Sequence, residues 1–396
     1  MIRKLYRKVR ASRWLQAAFQ YLENPDLVPG RNPDHEGYAN FLFLASFGDK
    51  WCILSFLPEF LERQANARIL AEEKDRELLR IFLGPEVVHA RVKFLETARL
   101  RQLSKLFNPH GVDSLPLKLN SGKLDQTYAV LKAGFPINRI RPLHVVQYPY
   151  FTDLFLHHGV SYGTLLRLML YLPPEVVARG PRYYTSEDYE RVRSLFFAQR
   201  AGAAARLVVL TNVVNFSHVP LSMEQTTAMA ESLIGKGFEV YLNTTLHPNP
   251  EPFRDLASRH PEVHTIEIPG HLLALASGMV HAVIGVVGGA MNVAVQFSRC
   301  HILSLFTSGK WLSLESELSL CRNGKNKSLW ELYNEDWPCV LPGRLIREIH
   351  VGDPSSLPEG ELPKIVAAFV AETSSSTGNR NRLDTEQAFN PQTIHS

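Results

Sequence analysis

The chain has 396 residues, of which 45% are hydrophobic and 21% are charged, and its formal net charge at pH 7 is +4. This composition is typical of a soluble globular protein, and the length favours two domains over one. No stretch approaches the roughly 20 apolar residues of a membrane span, and the alternation of basic and apolar residues at the start is unlike a signal peptide. The four cysteines have no metal-ligand spacing, which favours free thiols in a reducing compartment. We therefore expect a cytoplasmic protein.

Residues 1–35 form a basic amphipathic segment. The basic residues that precede the first acid, Glu23, are Arg3, Lys4, Arg7, Lys8, Arg10 and Arg13. Apolar residues fall near helical spacing between them, a pattern that suits contact of residues 1–20 with an anionic surface on the inner face of a membrane. A solvated helix packed on its own domain explains the same pattern. No basic stripe interleaved with aromatic residues recurs elsewhere, so nucleic acid is not an expected partner.

Residues 36–200 alternate between strand and helix patterns and form the first predicted domain. The strands are expected at 41–46, 68–71 and 143–147, and the helices at 52–63, 159–172 and 186–199. Pro58 is expected to bend the first helix, and Ser186 to cap the third. Residues 84–132 show no clear pattern. The small, polar stretch 199–202 marks the predicted domain boundary.

Residues 201–350 repeat a regular strand–helix pattern and form the second predicted domain. Strands are expected at 207–214, 239–243, 264–268, 281–287 and 301–306, and helices at 222–235, 252–259, 271–278 and 290–297. Ser222 and Gln225 have the spacing of a capping box. Such alternation predicts a parallel sheet that is covered on both faces. A C-terminal segment, 351–372, carries a last helix, and the polar residues 373–396 are expected to be a disordered tail.

The first candidate site residue is Asp49, which follows the first predicted strand in the sequence Ser46-Phe47-Gly48-Asp49-Lys50. Ligands of open α/β sheets bind at the carboxyl ends of the strands. A carboxylate at this place can act as a general base. Capping of the next helix explains the same aspartate, so both interpretations stay open at this point.

Two further strand ends carry candidate polar groups. Asn215 and Ser217 lie in the loop before the helix that begins near residue 222, where a phosphate site and an ordinary polar connection both fit. Backbone groups of Ile268, at the end of another predicted strand, could pair with the edge of a nucleotide base. A plain strand-to-helix turn explains Ile268 as well.

The most informative stretch is 279–310, in which a strand, a glycine pair, a small-residue helix and a second strand follow one another. Gly288 and Gly289 have no side chains to hinder a ligand, so backbone N–H groups at the helix start can reach a phosphate. Asn292 lies in the first turn of that helix. The other candidates, at the end of the second strand, are Thr307, Ser308 and Lys310. Tight packing at the glycines, with a solvated Lys310, is the alternative, and the dinucleotide fingerprint and the Walker phosphate loop are absent.

These motifs resemble those of the heptosyltransferase-like glycosyltransferases, whose GT-B fold consists of two Rossmann-like α/β domains facing a cleft. Phe47-Gly48-Asp49 matches a Met-Gly-Asp or Leu-Gly-Asp motif after the family's first strand. Residues 287–294 match an Asp-Ser/Thr-Gly-x-x-His-x-Ala stretch, and Leu305-Phe306-Thr307-Ser308-Gly309 matches an apolar strand that ends in Gly-Pro-Thr. Val287 replaces the family's acid and Asn292 its histidine. The family's basic residue after the first strand of the donor domain has no clear match here.

The resemblance implies an inverting glycosyltransferase that moves a sugar from a nucleotide-sugar donor to a cell-envelope glycan or glycolipid acceptor, as in lipopolysaccharide biosynthesis. It implies that Asp49 is the general base, that Gly288, Gly289 and Asn292 line the donor diphosphate, and that no metal or other cofactor is required. A nucleotide-sugar epimerase is a second possibility on this fold. A non-catalytic GT-B scaffold is a third, which the substitution at Val287 favours.

Overall fold

The computed structural model divides into two compact units, each built on a parallel sheet. It describes residues 39–98, 100, 140–143, 159–197, 206–211, 219–245, 249–307, 329–337 and 344–376. The first unit comprises Met1–Tyr184 and Leu318–Trp337, and the second comprises Thr185–Glu317 and Pro338–Ser396. None of the described helices is both long and apolar enough to cross a membrane.

The first unit contains a four-stranded parallel sheet in the order β3-β2-β1-β4. Its strands are β1 (Ala39–Leu42), β2 (Ala67–Glu72), β3 (Val92–Leu95) and β4 (Ile140–Pro142). Its first five helices are α1 (Phe47–Leu54), α2 (Leu57–Arg63), α3 (Arg76–Leu83), α4 (Pro85–Arg91) and α5 (Tyr162–Met169).

Aromatic side chains form much of the core of the first unit. Trp51 is fully buried and meets Phe82 edge-on, with 5.2 Å between ring centroids. Phe41 and Phe60 make a similar contact at 4.7 Å. Such pairs bury large apolar areas in a preferred geometry. They pack α1 against α3 and α2 against β1.

Pro58 begins a helix instead of bending one, which corrects the prediction of a single helix over 52–63. The structure ends α1 at Leu54 and starts α2 at Leu57, with the proline in the first turn of α2. A first-turn residue has no intrahelical partner for its N–H group, so proline is tolerated there and not one turn later.

The second unit contains a six-stranded parallel sheet in the order β10-β9-β8-β5-β6-β7. Its strands are β5 (Arg206–Thr211), β6 (Phe238–Asn243), β7 (Val263–Ile266), β8 (Ala282–Val286), β9 (His301–Thr307) and β10 (Ile346–Gly352). The remaining helices are α6 (Ser186–Phe197), α7 (Met223–Ile234), α8 (Glu251–Arg259), α9 (Leu273–Gly278), α10 (Gly289–Phe297), α11 (Leu329–Asn334) and α12 (Glu361–Ser376). All of these except α11 belong to the second unit.

The central strands of the second sheet are buried along their whole length, as expected for a parallel sheet with both faces covered. Helices α7 and α12 pack on one face through Leu233, Val366 and Phe369, among other buried side chains. The predicted capping box is confirmed, since Ser222 and Gln225 each bond to the other's backbone N–H. This cap fixes where α7 begins after the loop that follows β5.

The units differ from the predicted domains in two places. Helix α6 belongs to the second unit, although the predicted boundary at 199–202 left it in the first. The segment Leu318–Trp337 belongs to the first unit, although in the sequence it lies between two strands of the second.

Strand β10 has no counterpart in the prediction, because its alternation of apolar and charged residues suits an exposed edge and not a buried parallel strand. Helix α12 extends to Ser376, so the first four residues of the predicted tail 373–396 are helical, and residues 377–396 lie outside the described residues.

Candidate functional site

Both candidate sites follow strands that lie where the strand order of a sheet reverses. In the first sheet β1 pairs with β2 on one side and with β4 on the other, and in the second sheet β5 lies between β6 and β8. Ligands of open α/β sheets bind outside the carboxyl ends of the strands at such a point. Asp49 follows β1, and Gly288 follows β8. The topology therefore supports a site in each unit at the position that the sequence indicated.

Asp49 lies in the first turn of α1, where both of its carboxylate oxygens accept hydrogen bonds from hydroxyl groups. Ser46 Oγ donates to Oδ2 at 2.5 Å, and the Tyr162 hydroxyl donates to Oδ1 at 2.7 Å. Ser46 occupies the N-cap position, so Asp49 is not the residue that caps the helix. Each carboxylate oxygen can accept a second bond, and the helix N-terminus favours the ionised form. The carboxylate is half-buried and has the geometry of an oriented base.

Tyr162 is the residue that the sequence did not reveal. It begins α5, and its side chain is fully buried. Burial, together with the negative charge of Asp49, raises the pKa of the Tyr162 phenol well above its usual value. The hydroxyl therefore stays protonated and serves as a donor. In the sequence Tyr162 is only one apolar position of a predicted helix, 113 residues away from Asp49.

A buried ion cluster lies beside Asp49. Lys50 Nζ contacts both carboxylate oxygens of Asp75 at 2.7 Å and approaches Glu72 at 3.7 Å. The side chains of all three residues are less than a tenth exposed. Burial raises the pKa of Asp75, although the Lys50 charge acts in the opposite direction. Since β2 ends at Glu72 and a single helical turn carries Asp75, the cluster joins the carboxyl end of β2 to α1.

The glycine pair heads a helix whose N-terminus no described side chain caps. Val287 N–H donates to the Leu305 carbonyl at 3.0 Å, Gly288 takes the N-cap position, and α10 begins at Gly289. Gly288, Gly289 and Asn292 are all half-buried. The first N–H groups of a helix have no intrahelical acceptor, and an anion satisfies them. This helix start is suited to a phosphate group.

Two predicted donor-site residues have structural partners within the second unit. The backbone N–H of Ile268 donates to Thr245 Oγ1 at 2.7 Å, and the same hydroxyl donates to the Ile268 carbonyl at 3.1 Å. The backbone N–H group of Ile268 is therefore already hydrogen-bonded within the second unit. Thr307 is fully buried and accepts a hydrogen bond from the Val219 N–H at 3.1 Å, so it anchors the chain ahead of α7. The other predicted donor-site residues, Asn215, Ser217, Ser308 and Lys310, lie outside the described residues.

Among the described residues, no group of three or more His, Cys, Asp and Glu side chains could hold a metal ion. In the same described part of the chain, Cys52 and Cys300 are buried thiols outside any disulfide, and burial raises the pKa of Cys300.

Comparison with solved structures identifies the fold. No protein-family model matches the sequence, and no curated protein matches it. The structure of the E. coli ADP-heptose LPS heptosyltransferase II superposes with a TM-score of 0.51 over 85% of this chain and 98% of that chain, at 14% identity. The chain has the heptosyltransferase fold. The predicted fold class, two Rossmann-like α/β units of the GT-B type, is therefore confirmed.

Two other solved structures are similar at lower TM-scores. A glycosyl transferase family 9 protein from Veillonella parvula reaches 0.48, with 12% identity over 85% of this chain and 95% of that chain. The UDP-GlcNAc 2-epimerase from Neisseria meningitidis reaches 0.32, with 10% identity over 67% of this chain and 81% of that one.

Proposed function

We propose that this protein is an inverting glycosyltransferase that moves a sugar from a nucleotide-sugar donor to a cell-envelope glycan or lipid-linked acceptor. One observation carries the proposal: the hydroxyl-bonded carboxylate of Asp49 follows β1 in one parallel unit, and an uncapped, glycine-headed helix follows β8 in the other. A base and an anion site are the two groups that this transfer needs from the protein. The fold shared with heptosyltransferase II is consistent with this division of roles.

In the proposed reaction Asp49 takes the proton of an acceptor hydroxyl. The acceptor oxygen forms a bond to the anomeric carbon as the bond from that carbon to the donor diphosphate breaks, so the configuration inverts. The nucleoside diphosphate leaves with the electron pair. The N-terminus of α10, at Gly288 and Gly289, offsets the charge that develops on the leaving phosphate. Asn292, in the first turn, supplies a polar side chain beside it.

The non-catalytic scaffold is the second candidate, and the observation that favours it is the environment of Val287. This aliphatic side chain is buried at the position of the family's acid. A scaffold need not bind a nucleotide sugar at all, whereas both the transferase and an epimerase must. Product analysis then separates transfer from epimerisation.

Titration of a panel of nucleotide sugars, by calorimetry and by thermal shift, tests the proposed donor site. We expect at least one binder, and we expect Asn292→Asp to lower its affinity about tenfold, because the new charge repels the diphosphate. The acid suits the first turn of a helix, so folding is preserved. Asn249→Asp adds the same charge ahead of α8 and is the matched control. If no nucleotide sugar binds, or if both variants bind as the wild type does, the proposed donor site is wrong.

The basic N-terminal segment is a separate proposal, because residues 1–38 lie outside the described part of the chain. Removal of residues 1–13 is expected to abolish most binding to vesicles that contain anionic lipid, since each lysine or arginine near such a surface contributes about 1 kcal/mol. Co-sedimentation at low and high salt measures the effect, with neutral vesicles as the control. Equal binding of the full-length and shortened chains would reject membrane contact by this segment.

A further inference from the structure

We propose that Tyr162 is a positioning residue for the Asp49 carboxylate, and that a segment of chain returning from the second unit to the first holds Tyr162 in place. The proposal rests on the proposed function, because it assigns Asp49 the role of base. It adds a residue and a supporting element that the motifs of the sequence do not indicate.

The Tyr162 hydroxyl, like that of Ser46, donates a hydrogen bond to the Asp49 carboxylate. It donates to Asp49 Oδ1 at 2.7 Å, whereas Ser46 holds the other oxygen from within the N-terminal turn of α1. Two donors from different elements, α5 and the N-cap of α1, fix both the position and the rotation of the carboxylate. The direction from which the carboxylate oxygens accept a hydrogen bond, such as that of an acceptor hydroxyl, is thereby defined.

Besides Asp49, the described groups Tyr333 and Cys52 act on the pKa of the Tyr162 hydroxyl. The effect of each is to raise the pKa of the phenol, and burial has the largest effect of all. Tyr162 therefore remains a neutral donor at neutral pH. A phenol in this state bonds to the ionised carboxylate better than to the protonated one.

The returning segment, residues 329–337, contains α11 and packs on the first unit. Tyr333 stacks on Tyr162 with 4.9 Å between ring centroids. One turn along α5, Arg167 forms an ion pair with Asp336 at 2.5 Å, and both side chains are largely buried. Trp337 Nε1 donates to Ser55 Oγ at 3.1 Å. These three contacts attach the returning segment to α5 and to the end of α1.

The approach of the returning segment to α5 is close enough to require a glycine. A Cβ atom added at Gly163 would lie 2.5 Å from Asp336 Cβ, well inside van der Waals contact. Gly163 directly follows Tyr162, so the small residue lets the returning segment reach the tyrosine ring. The chain that supplies this support comes from β9 and goes on to β10, both strands of the proposed donor unit.

A purely structural role for Tyr162 makes a different prediction. In that case loss of the hydroxyl would lower the free energy of unfolding and leave the kinetics of the folded enzyme unchanged. Tyr241 offers the matched control, because its buried hydroxyl donates to the Phe196 carbonyl at 2.8 Å in the other unit. Tyr162→Phe and Tyr241→Phe each remove one buried hydroxyl and keep the ring.

The kinetic test compares these two variants with the wild type. Tyr162→Phe is expected to lower kcat about ten- to a hundredfold, the equivalent of one hydrogen bond to a charged group, without changing the KM for the nucleotide sugar. The acidic limb of the pH–rate profile of this variant is expected to move to higher pH, because the ionised Asp49 carboxylate has lost a hydrogen-bond donor. Tyr333→Leu shifts the profile in the same direction by a smaller amount. Wild-type kcat and profile in Tyr162→Phe, or an equal loss in Tyr241→Phe, would overturn the proposal.

A second measurement does not depend on turnover. Carbon-13 NMR of carboxyl-labelled aspartate follows the titration of Asp49, whose resonance is assigned by its absence in Asp49→Asn. The midpoint is expected to move to higher pH in Tyr162→Phe and to stay in place in Tyr241→Phe. An unmoved midpoint overturns the proposed hydrogen bond itself. A moved midpoint in a protein that transfers no sugar would confirm the bond, refute the proposed function and remove the positioning role with it.

Discussion

Asp49→Asn is expected to lower kcat by about 10²–10⁴-fold, the usual contribution of a positioned general base, and to leave the affinity for the nucleotide sugar nearly unchanged. Asparagine has the size of aspartate. Its amide oxygen can accept from one of the two hydroxyl groups, those of Ser46 and Tyr162, and its NH2 group can donate to the oxygen of the other. The amide cannot take the proton of an acceptor hydroxyl. Steady-state kinetics at saturating acceptor, with donor binding measured by calorimetry, separates the two effects.

The matched control for this prediction is Asn292→Asp, which makes the reverse exchange in the other unit. It is expected to weaken donor binding while kcat at saturating donor changes little, because the charge opposes binding of the diphosphate and not the proton transfer. Unchanged turnover in Asp49→Asn would remove Asp49 from the mechanism. Loss of donor binding in Asp49→Asn would instead make the aspartate part of the donor site.

Lys50→Ala is expected to lower the free energy of unfolding by about 3–5 kcal/mol, since it leaves the buried carboxylate of Asp75 without the cation that contacts both of its oxygens. That is a large share of the stability of an ordinary domain. Urea denaturation at pH 7, followed by circular dichroism, measures the change. Lys74→Ala is the control: Lys74 pairs with Glu72 of the same cluster, but its side chain is 65% exposed, so the expected loss is below about 1 kcal/mol.

The loss in Lys50→Ala should shrink as the pH falls. Burial already raises the pKa of Asp75, and removal of the Lys50 charge, which lowers it, raises that pKa further. A carboxyl group whose pKa is higher in the folded state than in the unfolded state destabilises the fold as the pH rises through that interval. Protonation toward pH 4, near the unfolded value, removes this cost. A deficit that grows at low pH would contradict the proposed burial of an unpaired Asp75 carboxylate.

The sequence predicted those parts of the fold that depend on local pattern. Buried strands such as β8 and β9 are uninterrupted apolar runs, and Ser222 with Gln225 marks the start of α7 by a rule that spans three residues. Asp49 and the glycine pair were found because the carboxyl end of a strand is a defined place in the chain. Their roles remain predictions, since the geometry supports them without showing a reaction.

The parts that the sequence did not predict depend on contacts between distant residues. Tyr162 and Asp49 are 113 residues apart, and Lys50 and Asp75 are 25 apart, so no local spacing relates either pair. The return of α11 to the first unit is a further case, because helix propensity does not say which core a helix will join. Pro58 is a similar case at short range: one proline suits both a bend and a helix start, and the structure places it in the first turn of α2.

Product analysis of one reaction tests directly whether the protein is an inverting glycosyltransferase. The wild-type chain is incubated with a nucleotide sugar that it binds and with cell-envelope glycan or glycolipid acceptors, and proton NMR follows the anomeric signals. The proposed inverting transfer predicts release of the nucleoside diphosphate together with a new glycoside of inverted anomeric configuration, and neither product with Asp49→Asn. A glycoside of retained configuration, or conversion of the donor into its epimer, would contradict it.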